Sequence, residues 1–184
     1  QCHGVLRWMA RMAEPLEIDP NRLAVAGDSG GACLATHIAM RTRDGDGPAL
    51  TCQLLCYGVY DLDPQREAYA ISRDPGLRRP VIESMIATWH ECARRDCAAT
   101  PAPLHALLAG LPPAILLSAE HDPMRAEDED YAAALRAAGV TDEARTAPGM
   151  CHGFLRAQHF SAPARAEMQW VGAAFRALLQ SAHP

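Results

Sequence analysis

Apolar residues occur along this chain in two kinds of pattern. Short continuous apolar runs predict buried strands, and runs whose apolar residues recur every three or four positions predict helices. The predicted strands cover residues 22–27, 51–57, 114–119 and, more weakly, 141–146, and the predicted helices cover residues 3–14, 30–41, 81–93, 126–138 and 163–180. Strands that alternate with helices are typical of an α/β protein, in which a parallel sheet is covered on both faces.

Residues 65–110 carry the weakest pattern. A helix is predicted over residues 81–93, and the flanking residues are rich in Pro, Arg and Ala and predict no clear element. The apolar and neutral side chains that share one side of this helix are Val81, Met85, Thr88, Trp89 and Cys92. The last predicted helix, residues 163–180, is expected to pack on the sheet, with contact to a second subunit as the alternative.

Composition excludes several classes of function. The 184 residues suffice for one domain, and the net charge of −5 disfavours binding to nucleic acid. All 17 basic residues are Arg, which excludes a Schiff-base lysine. We find neither a signal peptide nor an apolar run of the roughly 18 residues that span a bilayer, so we expect a cytoplasmic protein that does not bind membranes.

The seven cysteines have no metal-binding spacing. They occur at positions 2, 33, 52, 56, 92, 97 and 151, an odd number without a C-x-x-C pair. This pattern disfavours zinc and redox sites. We therefore expect no metal and no cofactor, and we expect the cysteines to be buried thiols in a reducing cytoplasm.

Residues 27–31 carry the strongest chemical signal. Gly27-Asp28-Ser29-Gly30-Gly31 fits the G-x-S-x-G turn and lies directly between a predicted strand and a predicted helix. Such a turn strains the serine backbone and exposes its Oγ, and we expect Gly27 and Gly31 to be needed because a Cβ would clash across the turn. The N–H of Gly30 is the first candidate donor of an oxyanion hole. The alternative is a Gly-rich turn that binds an anion or nothing.

Two further residues complete a candidate catalytic set with Ser29. Asp122 follows the strand predicted over residues 114–119, and His152 follows the weak strand over residues 141–146. The order Ser, Asp, His is that of α/β-hydrolases, and the carboxyl ends of parallel strands meet at one edge of the sheet. We therefore expect Ser29 to be the nucleophile, Asp122 the acid and His152 the base.

Other acidic residues compete with Asp122. Asp61 and Asp63 also follow a predicted strand and are the strongest rivals. The acidic run at residues 127–130 begins a predicted helix, and we interpret it as a solvated complement to the helix macrodipole. The other seven histidines are expected to be surface or core residues.

These motifs together resemble the hormone-sensitive-lipase-like family (family IV) of esterases with the α/β-hydrolase fold. The family's nucleophile, acid and base motifs are similar to residues 27–29, 122–125 and 152–154. The resemblance extends from residue 3 to 180 and is weakest over 61–100. It implies the C-terminal part of an α/β-hydrolase fold, with a mostly parallel sheet, helices on both faces and a partial helical cap. Residues 1–184 would form one partial domain, and residues 65–100 would contribute to the cap.

The sequence also departs from the family. Members of the family carry two features upstream of the nucleophile. One is a His-Gly-Gly-Gly loop that supplies most of the oxyanion hole, and the other is the first half of the sheet. This chain begins at Gln1 and has neither. We therefore expect a partial chain that is weakly active or inactive. The strand over residues 22–27 should form an exposed edge that can pair with another chain, including a homodimer.

The resemblance implies a serine hydrolase that cleaves carboxylic esters with short to medium acyl chains through an acyl-enzyme. Its partner would be a small-molecule ester. Trp89 and Leu77 are candidates to line the acyl pocket, with ordinary packing of the cap as the alternative. A serine peptidase or acyltransferase on the same fold, and a non-catalytic binding module, remain as alternative functions.

Overall fold

A computed structural model describes residues 1–72, 74–95 and 101–181 of the chain. These residues form four strands and six α-helices. The strands are β1 (Ala24–Asp28), β2 (Cys52–Cys56), β3 (Ala114–Ala119) and β4 (Asp142–Ala147). The helices are α1 (Cys2–Arg11), α2 (Gly30–Arg43), α3 (Glu67–Ile71), α4 (Arg79–Arg95), α5 (Arg125–Ala137) and α6 (Ala162–Ser181). Short 3-10 turns occur at Pro103–His105 and Phe154–Ala157.

The four strands form one sheet in the order β1-β2-β3-β4, and all neighbouring strands are parallel. All six residues of β3 are buried, as expected of an inner strand that is covered on both faces. β1 lies at one edge, where it pairs with β2 alone among the described strands. The predicted parallel sheet is confirmed, and all of its strand pairs are parallel rather than most of them.

Helices cover both faces of this sheet. On one face, α1, α2 and α5 bury an apolar cluster against the strands; its larger members include Leu6, Met40, Leu55, Leu116, Tyr131 and Leu135. On the other face, α6 packs Ala164 and Val171 against Leu117 and Ala147. The expected packing of the last helix on the sheet is therefore found. No helix within the described ranges is long and apolar enough to cross a membrane.

A third apolar cluster lies at the carboxyl end of the sheet. Ile82 and Ile86 of α4 are buried there, and Trp89 is partly buried beside them. The side chains of Val81 and Met85 are 46% and 49% exposed. The side of α4 that packs is therefore offset by about one residue from the side that the sequence pattern predicted.

The helix α3 was not predicted from the sequence. Its Tyr69 is 1% exposed and joins the same cluster as Ile82 and Ile86. Within the stretch expected to form part of a cap, residues 73 and 96–100 lie outside the described residues, and so does Cys97.

Candidate active site

Ser29 lies at the junction of β1 and α2 with an unusual backbone. Its φ is 55° and its ψ is −126°, a conformation that non-glycine residues rarely adopt and that costs about 1–3 kcal/mol. A Cβ added to Gly27 would lie 2.1 Å from the carbonyl oxygen of Gly31. A Cβ added to Gly31 would meet only Asp28 Oδ1, at 3.8 Å. The turn therefore requires glycine at 27, and the expectation that position 31 also requires it on steric grounds is wrong.

Ser29, His152 and Asp122 come together in a hydrogen-bonded chain. His152 Nε2 lies 2.8 Å from Ser29 Oγ, and His152 Nδ1 lies 2.7 Å from Asp122 Oδ2. Because an ionised carboxylate only accepts hydrogen bonds, the neutral imidazole donates its Nδ1–H to Asp122. Its Nε2 is then left to accept the Ser29 hydroxyl proton. This arrangement can activate the hydroxyl as a nucleophile.

The partners of His152 hold its ring in place. The side chain of Asp122 is fully buried, and its Oδ1 accepts the N–H of Met124 at 2.8 Å. The ring of Tyr57 packs edge-on against the imidazole, with 5.1 Å between ring centroids. Tyr57 is the first residue after β2 and is 1% exposed. Sequence reasoning missed this residue, because no motif marks it.

Contacts from two segments fix the loop that carries His152. The N–H of Gly149 donates to Glu120 Oε2 at 2.6 Å, just beyond the end of β3. The N–H of His152 itself donates to Asp74 Oδ2 at 2.7 Å. Asp74 was also missed from the sequence, because its contact with His152 joins positions 78 residues apart.

An apolar cleft opens beside Ser29. Its walls come from the segment after β2, from α4 and the residues just before it, and from the start of α2; they include Gly30, Val59, Leu62, Leu77, Ile86 and Trp89. Trp89 and Leu77, which were candidates for this position, both line it. A Cβ added to Gly30 would meet nothing within 4 Å, so open space lies beside this residue.

Cys33 is the second nucleophilic side chain in this cleft. It is 1% exposed, and burial together with the nearby charge of Glu127 raises the pKa of its thiol to about 12. The thiol therefore stays protonated at neutral pH and does not compete with Ser29.

The rival acids face elsewhere. Asp61 pairs with Arg66 and with His105, whose Nε2 lies 2.6 Å from Asp61 Oδ1. Asp63 is exposed and accepts the N–H of Gln65 at 2.9 Å. Neither makes a described contact with His152. Across the described ranges, no three His, Cys, Asp or Glu side chains are grouped in a way that would hold a metal ion.

The acidic run at the start of α5 is not solvated throughout. Glu127 and Asp128 are 0% and 3% exposed, and burial raises the pKa of both carboxyls. Glu127 Oε2 accepts the N–H groups of Tyr60 and Asp61 at 2.7 Å each, and Asp128 Oδ1 accepts that of Gly58 at 2.9 Å. These two carboxyls hold the segment after β2 that forms one wall of the cleft, so the interpretation of this run as a solvated face is wrong for them.

This chain is similar in sequence and fold to known proteins. Residues 1–156 match a family model described as the alpha/beta hydrolase fold. The chain is 37% identical to the carboxylesterase NlhH of Mycobacterium tuberculosis over 186 residues, which cover 98% of this chain and 57% of that protein. It is 34% identical to the esterase LipI of the same organism over 153 residues, covering 81% of this chain and 48% of LipI.

A solved structure gives the same picture. The hyperthermophilic esterase from the archaeon Pyrobaculum calidifontis superposes with a TM-score of 0.85 at 27% identity, covering 96% of this chain and 58% of that one. The chain therefore spans about half the length of the relatives that it matches.

Proposed function

Because this chain belongs to the hormone-sensitive-lipase-like family of the α/β-hydrolase fold, we propose that it hydrolyses carboxylic esters with Ser29 as nucleophile, His152 as base and Asp122 as acid. The observation that carries the proposal is the unbroken chain of hydrogen bonds from Ser29 Oγ through His152 to Asp122, with distances of 2.8 and 2.7 Å. The strained backbone of Ser29 and the apolar cleft beside it support the same assignment.

The reaction that we propose has two steps. Ser29 Oγ attacks the ester carbonyl carbon as its proton passes to His152 Nε2, and that proton then leaves with the alcohol when the C–O bond breaks. Water attacks the resulting acyl-serine, gives its proton to His152 and releases the carboxylic acid, while Ser29 regains a proton. Asp122 keeps the Nδ1–H of His152 oriented and stabilises the imidazolium.

The oxyanion of each step would be held by the N–H of Gly30 at the N-terminus of α2. In the family that this chain resembles, a His-Gly-Gly-Gly loop upstream of the nucleophile supplies most of the oxyanion hole, and residues 1–184 do not include that loop. Loss of a single oxyanion donor costs roughly 10²–10³ in rate in a protease. We therefore propose that residues 1–184 alone turn esters over slowly, although Ser29 is activated by His152.

The lining of the cleft supports a substrate class. Its walls are apolar and lie directly beside Ser29, and we propose that they hold the short to medium acyl chain of the ester. We propose that residues 65–100 contribute to a cap over the carboxyl end of the sheet, and that α4 forms the acyl-binding wall through Ile86 and Trp89.

Two further proposals concern the surroundings of the protein. None of the described cysteines forms a disulfide, which suits a reducing cytoplasm; Cys33 and Cys52 are buried as expected, whereas the expectation of burial is wrong for Cys2 and Cys92, which are exposed. The edge of β1, flanked by exposed apolar side chains of α1 and α2, suits pairing with another chain, including a second copy.

A fluorophosphonate probe tests the proposed nucleophile without requiring turnover. We expect the wild-type chain to gain the mass of one phosphonyl group at Ser29, and Ser29→Ala to gain none. Ser84→Ala, which removes an exposed hydroxyl of α4, is the matched control and should label like the wild type. Mass spectrometry of the intact protein and of its peptides measures each result.

A wild-type chain that folds but is not labelled at Ser29 would exclude the proposed nucleophile. Labelling that is lost in Ser29→Ala and is also lost in His152→Gln would assign the activation of Ser29 to His152. Labelling that survives in His152→Gln would remove His152 as the base.

A further inference from the structure

Asp74 links two segments that meet at the candidate site. One of its oxygens, Oδ2, accepts the backbone N–H of His152 at 2.7 Å. The other, Oδ1, accepts the N–H groups of Gly76 and Leu77 at 2.8 and 2.9 Å. The residue is 5% exposed, and its hydrogen bond from Leu77 is buried, whereas those from Gly76 and His152 are partly buried.

The two oxygens serve different purposes. The bonds from Oδ1 close a local turn, which Asn or Ser side chains also form. Asp63 makes such a turn alone: its Oδ1 accepts the N–H of Gln65 at 2.9 Å on an exposed surface. The bond from Oδ2 to His152 is not local, and it is what a carboxylate adds at position 74.

Asp74 thereby ties the cleft wall to the main chain of the proposed base. Leu77, which donates to Oδ1, lines the cleft beside Ser29. Two other hydrogen bonds to the main chain of the His152 loop come from the end of β3: the N–H of Gly149 donates to Glu120, and the N–H of His121 donates to the carbonyl of Met150. Neither of these holds His152 itself.

We propose that Asp74 is a positioning residue, which fixes the main chain of His152 relative to the cleft so that its ring stays in reach of Ser29 Oγ. This inference rests on the proposed function. The partners of Asp74 on both sides are N–H donors, so each side needs an accepting oxygen. Asn at position 74 has only one accepting oxygen, and its NH₂ group is itself a donor. Asp74→Asn must therefore lose either the local turn or the bond to His152, although its shape is unchanged.

The test compares Asp74→Asn with Asp63→Asn in the 184-residue chain. For Asp74→Asn we expect the limiting rate of fluorophosphonate labelling to fall about 10- to 100-fold, as for a displaced catalytic group, with little change in the probe's affinity. We also expect faster amide hydrogen exchange at His152 and loss or broadening of the NMR signal of its ring Nδ1–H. Asp63→Asn should change none of these, and Asp74→Glu, which keeps two accepting oxygens, should recover part of the rate.

Several results would overturn the proposal. One is an Asp74→Asn variant with unchanged labelling rate and unchanged His152 signals. Another is a variant that no longer unfolds cooperatively, since the carboxylate would then be needed for the fold itself. If the wild type is not labelled at Ser29, the proposed function fails, and Asp74 is judged on amide exchange and the ring N–H signal alone.

Discussion

A Cβ atom has different effects at the two glycines that flank the Ser29 turn, Gly27 and Gly31. We expect Gly27→Ala to lower the free energy of unfolding by at least about 1–3 kcal/mol, because its Cβ would overlap the main chain of Gly31. Gly31→Ala meets no such obstacle and lies in the first turn of α2. There alanine should be neutral or should stabilise by about 0.4–1 kcal/mol, because it restricts the unfolded chain.

Urea denaturation followed by circular dichroism measures both free energies. The two variants make the same chemical change four residues apart, so each is the control for the other. Equal destabilisation by both would contradict the steric explanation, because it would place the cost in glycine's flexibility and not in the contact.

Local sequence predicted only part of the candidate site. Ser29, Asp122 and His152 stand in recognisable short motifs after predicted strands, and the structure brings their side chains within hydrogen-bond distance. Their catalytic roles stay a prediction. Tyr57 and Asp74 contact His152 as well, yet nothing in their neighbouring residues marks them. Contacts between distant segments depend on the packed fold, which the pattern of one segment does not encode.

At the scale of elements, the spacing of apolar residues predicted the strand β3 better than the packing of the helix α4. β3 was predicted with its bounds as found, since six consecutive apolar or small residues are typical of a short strand buried on both faces. The helix α4 carries apolar residues on two adjoining sides, so spacing alone did not reveal which side packs. The partners decide this: Val59, Leu62 and Met124 lie opposite Ile82 and Ile86, and these two are buried.

The cleft wall on α4 leads to a prediction about chain length. Trp89 lines the cleft and packs against His37, with 5.4 Å between ring centroids. Trp89→Ala should open the cleft and favour longer alkyl groups, by up to about fourfold in labelling rate for each newly buried methylene at about 0.8 kcal/mol. Alkyl fluorophosphonates of increasing length measure this.

Val81→Ala shortens an exposed side chain of the same helix and should leave the length preference as in the wild type. A Trp89→Ala profile that keeps the wild-type optimum would show that the cleft does not hold the alkyl group.

The whole molecule has an asymmetric sheet. β4 lies at one edge and β1 at the other, and beside β1 the residues Val5 and Leu34 are 55% and 45% exposed. Apolar surface next to a strand edge favours pairing between chains. We expect the 184-residue chain to self-associate with rising concentration and Leu34→Arg to weaken that association.

Sedimentation velocity over a range of protein concentrations measures the association. Leu107→Arg introduces the same charge at a residue that is 73% exposed and outside this patch, so it controls for a general gain in solubility. Equal effects of the two substitutions would argue against pairing at the β1 edge, and a monomer at all concentrations would exclude it.

The hydrogen bond between Ser29 and His152 joins positions 123 residues apart. The three side chains thus enclose most of the polypeptide in one loop, whose closure entropy is recovered only when the sheet between them has formed. We therefore expect the reactivity of Ser29, the proposed nucleophile, to report completed folding, because a partly collapsed chain can contain helices and pairs of strands without bringing His152 to Ser29. In a refolding experiment, helical content should return before reactivity, and the interval between them would time the last step of assembly.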